Sequence, residues 1–394
     1  MRSFMARRRE AKGGGGMVDG FYPGRRGAFN DPPHEAGTPN LGCLRFGSAW
    51  LMMLLALVGA RDLAAAEVTL ALGGETMGTT WSVKFRGAEV SAQNRARHRL
   101  AVQAELDRLE AQMSNYRIES VVSRFNRERG TNWFAVPAET ARVVREALEI
   151  SRRTDGAFDI TVAPLVALWG FGPRRKTGAV PTEVAIAAAR ARVGWRQLEV
   201  RGGTEETGAA GAALRKKIPE LEIDLGGIAK GFAAEAVSEV LCRRGVINHL
   251  VGVAGDLRAR GSGPAGTGWL VGIERAGAGG MTVGRVIALR DKALSTSGNY
   301  RNCFEVGGRR YGHVIDPRTG WPAAASGVAG SVSVVAGSGT WADALATGLL
   351  VAGNEEGMRM AEREGWAVQI FTDEGEVQSP EFGAIAGRAR ARKP

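Results

Sequence analysis

An uncharged apolar run, GSAWLMMLLALVGA at residues 47–60, divides the chain and decides which part of it can fold as a domain. A membrane-spanning helix needs about 20 apolar residues, and this run is shorter. It has the length of a signal-peptide core. Arg45 lies just before it, and Ala64-Ala65-Ala66 supplies the small residues of a cleavage site after it. Residues 1–46 are rich in Arg, Gly and Pro and show no hydrophobic period. Residues 1–66 therefore read as a leader and export signal. The expected location is the periplasm or the periplasmic face of the inner membrane. Membrane association through residues 47–60, as an uncleaved anchor, stays open, and Met17 is one alternative start. Residues 67–380 are long enough for one large domain, and 381–394, ending GRARARKP, read as a basic flexible tail.

The formal net charge is +11 for the whole chain and +7 for residues 67–394, in which the basic residues outside that tail are dispersed. Dispersed charge favours small anions and gives no reason to propose nucleic acid. No CxxC, HExxH or other Cys/His spacing appears, which argues against zinc. Cys242 and Cys303 follow the leader, and their pairing is undecided by sequence.

Periodicity predicts a pair of strands over 68–85 around a Gly turn. An amphipathic helix is expected over 91–112, its stripe formed by Leu100, Leu106, Leu109 and Met113. A second helix is expected over 138–154. FDITVAPLVALWG reads as a strand, 182–193 as an Ala-rich helix and 202–211 as a loop. EIDLGGIAKGFAAEAVSEVLCRRG reads as strand, Gly pair, helix and C-terminal Gly. Short strands follow, then SVSVVA, an apolar helix and a last strand pair, WAVQIFTDEGEV. Strands and helices mix without strict βαβ alternation. The expected class is α+β, with largely antiparallel sheets flanked by helices.

Four features carry chemistry. In WADALATGLL, Asp343 and Thr347 lie four residues apart, so both oxygens share one helix face. A hard cation such as Mg²⁺ takes such ligands; helix capping by Asp343 is the other reading. The turn at 224–231 offers helix amides and Lys230 as a phosphate seat, though it is neither a P-loop nor GxGxxG; a tight strand-to-helix turn with Lys230 solvated is the other reading. His313 precedes the rigid turn Asp316-Pro317-Arg318-Thr319-Gly320 and is a candidate general base or a structural histidine. Asp159, beside Phe158 in an apolar run, needs a partner. Tyr116 either stacks on a flat ring or packs. Ser297 lacks the first Gly of a GxSxG elbow and is not read as a nucleophile.

Seven segments in this order resemble the ApbE family of flavin transferases. They are MGTTW (77–81), MSNYRIES (113–120), GAFDITVAPLVALWGFGP (156–173), IDLGGIAKG (223–231), STSGNYR (295–301), HVIDPRTGWP (313–322) and ADALATGLL (342–350). The resemblance implies an enzyme that moves FMN from FAD onto a protein Thr or Ser, with Mg²⁺ as cofactor, FAD as substrate and AMP released. By position, Met77, Tyr116, Ala157, Phe158, Asp159, Asp224, Lys230 and Ile315 would line FAD. Asp343 and Thr347 side chains would hold Mg²⁺, helped by backbone oxygens of Gly227 and Ala346. His313, with Asp343, would be catalytic, taking the acceptor's proton. The implied partner is an exported flavin-acceptor domain of a membrane respiratory complex, such as a sodium-pumping quinone reductase subunit. FAD hydrolysis to FMN and AMP, or flavin carriage without catalysis, are the alternatives. Asn299, Ala254, Glu235 and Ala346 depart from residues common in the family.

Overall fold

Eight strands pair in one sheet, in the order Thr69–Thr76, Thr79–Arg86, His249–Val253, Asp256–Arg260, Ala293–Ser297, Ser331–Ala336, Ala367–Thr372 and Gly375–Gln378. Every neighbouring pair is antiparallel, as the α+β reading expected. The computed structural model describes residues 69–86, 92–173, 178–204, 211–277, 280–299, 302–323, 330–372 and 375–390. The leader, the apolar run at 47–60 and the end of the tail lie outside the described residues. Among the described residues no helix is long and apolar enough to cross a membrane.

The central strands are apolar on both faces because each face meets a different layer. Val332, Val334, Val368 and Ile370 pack with the helices Ala92–Met113, Ala138–Arg153, Ala229–Arg243 and Gly339–Ala352. Val335, Ala367 and Phe371 pack the other way, against the hairpin Trp269–Gly277/Gly280–Leu289 and the helix Pro380–Arg390. That last helix falls within the stretch expected to be a tail, yet its Phe382 is fully buried. The first strand pair turns through Met77 (φ 49°) and Gly78 (φ 69°), both left-handed, which suits a tight hairpin.

Three expectations are corrected. The first helix buries Val102, Leu106, Leu109 and Met113, while Leu100 is 71% exposed. Leu100 is six residues from Leu106 and so falls off the stripe; Val102, four away, lies on it. FDITVAPLVALWG is not a strand: Ile160–Val162 is a 3-10 turn and Ala163–Leu168 an α-helix. Asp159 accepts from Thr161 N at 2.8 Å and so caps that turn. Pro164 sits in the first helical turn, where its missing N–H costs nothing. EIDL joins no sheet. The backbone of Ile223 is instead held by side-chain amides, accepting from Asn126 Nδ2 (2.8 Å) and Asn115 Nδ2 (3.1 Å) and donating to Asn126 Oδ1 (2.8 Å). Cys242 and Cys303 are both free thiols.

Two helices position the site, and glycine sets their spacing. A Cβ on Gly231 would collide with the backbone oxygen of Gly339, and one on Gly339 with that of Gly231. The backbones therefore touch where the Ala229–Arg243 and Gly339–Ala352 helices cross. Glu235 spans the same crossing, accepting from Ser338 Oγ at 2.8 Å and Gly339 N at 2.9 Å. It caps the second helix from the first, satisfying a donor that the helix leaves open. Gly231→Ala gains about 1 kcal/mol of helix propensity but forces the backbones apart, at a cost of about 3 kcal/mol. Its urea midpoint is expected to fall; an unchanged or raised midpoint would show that the crossing does not need the contact.

Candidate active site

A cleft of about 770 Å³ opens where the two glycine-linked helices meet the end of the sheet, within the size range of small-molecule sites. Its walls include Tyr116, Ala157, Phe158, Asp159, Asp224, Gly227, Lys230, His313, Ile315, Asp343 and Thr347. Two of the sequence-derived site residues do not line it. Met77 is half-buried in the first hairpin turn and packs against the main core, while its neighbours Thr79 and Thr80 face the cleft. Ala346 is fully buried inside its helix.

Asp343 is 3% exposed and does not cap its helix, whose end Glu235 covers. Its Oδ2 accepts from Gly231 N at 3.0 Å, and both its oxygens lie 3.3 Å from Lys230 Nζ. Lys230 also donates to Gly226 O at 2.7 Å and lies 3.6 Å from Asp256 Oδ2. Burial opposes the charge on Lys230, but Asp343 and Asp256 outweigh it and raise its pKa. Asp256 is pushed up to about 7 by burial and by Asp343. The ammonium thus holds two buried carboxylates together.

Thr347 sits one turn beyond Asp343, with Ser297 Oγ 3.1 Å from its Oγ1. Gly227 packs on the same atom: a Cβ there would lie 3.2 Å from Thr347 Oγ1 and 3.3 Å from Phe158. Asp256 Oδ2 is buried and makes no hydrogen bond. All these donors are oxygens, which fits a hard divalent cation. Among the described residues no three His, Cys, Asp or Glu side chains converge. An ion here would depend on hydroxyl, carbonyl and water ligands beside Asp343.

His313, also in the cleft, is half-buried, and burial lowers its pKa. Its Nδ1 faces Asn302 O at 3.2 Å. A carbonyl only accepts, so Nδ1 carries the proton and Nε2 keeps its lone pair. Phe171 meets the imidazole edge-on at 6.2 Å between ring centres. Tyr116 is 72% exposed and donates from its hydroxyl to Phe171 O at 3.3 Å. Ile315 bridges to Pro322 across the Asp316–Gly320 turn, which Arg318 braces by bonding both oxygens of Asp316.

The partner that Asp159 needed is the chain itself. Besides Thr161, its Oδ2 accepts from Trp195 N at 2.9 Å, and burial raises its pKa. Asp224 bends back to accept from Gly226 N at 2.8 Å, which shapes the turn into the Ala229–Arg243 helix; burial raises its pKa too. Sequence reasoning did not single out Asp256, Asn302 or Ser297 as site residues. Asp256 follows a turn through Ala254 (φ 54°) and Gly255 (φ 99°), and that tight turn was its only sequence signal. Nothing local marks Asn302, whose contribution is a backbone oxygen.

The ApbE family model matches residues 77–371. An FAD:protein FMN transferase of Vibrio cholerae is 39% identical over 332 residues, spanning 83% of this chain and 95% of that one. The Escherichia coli K12 protein of the same name is 37% identical over 322 residues, or 81% and 89%. Among solved structures, flavin transferase ApbE from Vibrio cholerae superposes with TM-score 0.72 at 37% identity, covering 81% of this chain and 99% of that one. The apo flavinyl transferase ApbE of Pseudomonas stutzeri gives TM-score 0.71 at 35% identity, covering 82% and 98%.

Lys230→Met leaves Asp343 and Asp256 facing each other without their cation. The expected loss at pH 8, with metal chelated, is about 3 kcal/mol of folding stability. One carboxyl then holds a proton that the unfolded chain, with a carboxyl pKa near 4, releases. Native protein binds the extra proton, so the variant's stability should fall as pH rises and recover in part near pH 5.5. Denaturation at the two pH values measures this; a loss equal at both would contradict it.

Proposed function

This chain belongs to the ApbE family, and we propose that it transfers the FMN moiety of FAD onto a Thr or Ser hydroxyl of an acceptor protein, releasing AMP. The observation that carries this reading is the meeting in one cleft of the Asp343/Thr347 oxygens, Lys230 and the unprotonated Nε2 of His313.

FAD is a diphosphate ester, and its charge needs an electropositive seat. The start of the Ala229–Arg243 helix and Lys230 provide one on the same wall. Asp343 and Thr347, with the Ser297 hydroxyl and the Gly227 backbone beside them, would hold Mg²⁺. When bound, that ion supplies positive charge against the diphosphate oxygens. Phe158, Ile315 and Tyr116 offer apolar and aromatic surface to the flavin and adenine rings.

The acceptor oxygen attacks the FMN-side phosphorus as His313 Nε2 takes its proton. A new P–O bond forms to the acceptor, the bond to the AMP-side bridging oxygen breaks, and AMP leaves. Asn302 O keeps the Nδ1 proton directed away from the substrate and stabilises the imidazolium that results. No electron moves, so FAD is spent as a substrate and does not act as a redox cofactor. The export segment in residues 1–66 would take the reaction to the periplasmic side, where the acceptor is an exported domain of a membrane respiratory complex.

The purified protein, FAD and Mg²⁺, with an exported domain of a sodium-pumping quinone reductase subunit, should yield AMP and an acceptor heavier by one FMN. Both should vanish in Asp343→Ala. AMP without acceptor labelling would favour hydrolysis of FAD; FAD binding without AMP would favour a carrier. His313→Ala should slow transfer by about 10²–10⁴-fold with FAD affinity retained. Burial keeps the His313 pKa below its usual value near 6.5. The base must be neutral, so the wild-type rate should be flat above about pH 6.5 and fall in acid. A rate that rises on acidification would contradict the assignment.

A further inference from the structure

We propose that the outward face of the hairpin Trp269–Gly277/Gly280–Leu289 is where the acceptor polypeptide docks, an inference that rests on the transferase reading above. The inward face of this ribbon is spent on the core: Trp269, Val271, Ile273, Ile287 and Leu289 are buried. The outward face should then be polar, as it is on the Thr79–Arg86 strand, where Thr80, Ser82 and Lys84 face out. Here, beside Glu274, it carries exposed aliphatic side chains: Leu270 is 58% exposed, Val283 64% and Val286 49%.

Cross-strand register makes these side chains one patch. Leu270 pairs with Ala288, Gly272 with Val286 and Glu274 with Val283. Gly272 lets Val283 lie close over the ribbon: a Cβ there would come within 3.2 Å of Val283 Cγ1. An apolar face of this kind on a half-solvated ribbon marks a surface that a partner covers.

The occupant follows from where the patch leads. Gly272 and Glu274 belong both to this outward face and to the wall of the cleft. The same cleft is lined by Leu294, Thr296, Ser297 and Thr347, the last two in contact at 3.1 Å. A polypeptide lying on Leu270, Val283 and Val286 is thereby led past Gly272 and Glu274 into the cleft. The second substrate of a transferase is a protein, and its hydroxyl must enter this cleft. The chemistry that fits is an extended acceptor segment with an apolar flank for the patch beside its hydroxyl.

The test compares wild type with Leu270→Asp, Val286→Asp and the milder Val283→Ser, none of which lines the cleft. Each is assayed with FAD, Mg²⁺ and the exported domain of a sodium-pumping quinone reductase subunit as acceptor. The Asp variants should raise KM for that domain about tenfold or more, with FAD affinity within about twofold of wild type. Val283→Ser should shift KM in the same direction by less. Urea midpoints check folding, and Val283→Ser carries the test if an Asp variant unfolds. Transfer by wild type with wild-type KM in folded variants would overturn the docking face and leave the transferase reading intact. Loss of self-association in the variants at unchanged acceptor KM would assign the patch to a second copy of the chain and overturn the proposal. No transfer by wild type to this domain or to any acceptor would overturn the reading on which the proposal stands.

Discussion

The backbone contact between Gly231 and Gly339 is the constraint on which the site depends. It lets two helices cross at a distance that any side chain would prevent. Gly231 N–H then reaches the Asp343 carboxylate, and Lys230, one residue earlier, reaches the same group. About two turns along its helix from Gly339, Thr347 packs on the Gly227 turn that leads into the lysine helix. Position, charge and access at the oxygen cluster all follow from the lack of two β-carbons.

Charge is arranged around that crossing in an economical way. The buried carboxyls of Asp343 and Asp256 and the half-buried Lys230 lie within salt-bridge distance as a chain. Buried carboxylates without a cation are costly, and one ammonium serves both. A cation at Asp343 would compete with Lys230 for the same oxygens. The lysine would then be freed to meet a negatively charged substrate. The His313 imidazole, aromatic rings and a rigid proline turn complete the cleft.

Much of this was legible in the sequence because it is local. The period of SVSVVA and AVQIF, the capped helices and the four-residue spacing of Asp343 and Thr347 are written in neighbouring residues. Most of the residues expected at the site do line one cleft. Errors came where distant groups decide local structure. EIDL looks like a strand because its pattern is apolar and extended, but Asn115 and Asn126 side chains replace the sheet. FDITV looks like a strand until the Asp159 carboxylate folds it into a turn. Asp343 resembled a cap because nothing nearby in sequence announces that Glu235, on another helix, already fills that role. Asn302 acts through a backbone oxygen, which sequence pattern does not mark at all.

The lining of the cleft runs from Thr79 to Val351, so nearly the whole fold has a stake in it. The strand beginning at Thr79 finds its second neighbour only at His249–Val253, and the sheet closes further with Ser331–Ala336 and Ala367–Thr372. Such pairings are of high contact order and form late, after long loops have closed. The site therefore has no half-made version. A nascent chain that has emerged as far as the lysine helix holds Lys230 but not Asp343. One stopped before the last strands lacks the sheet that presses the two helices together. The cleft is complete only when folding nearly is, which makes it a report on the integrity of the entire domain.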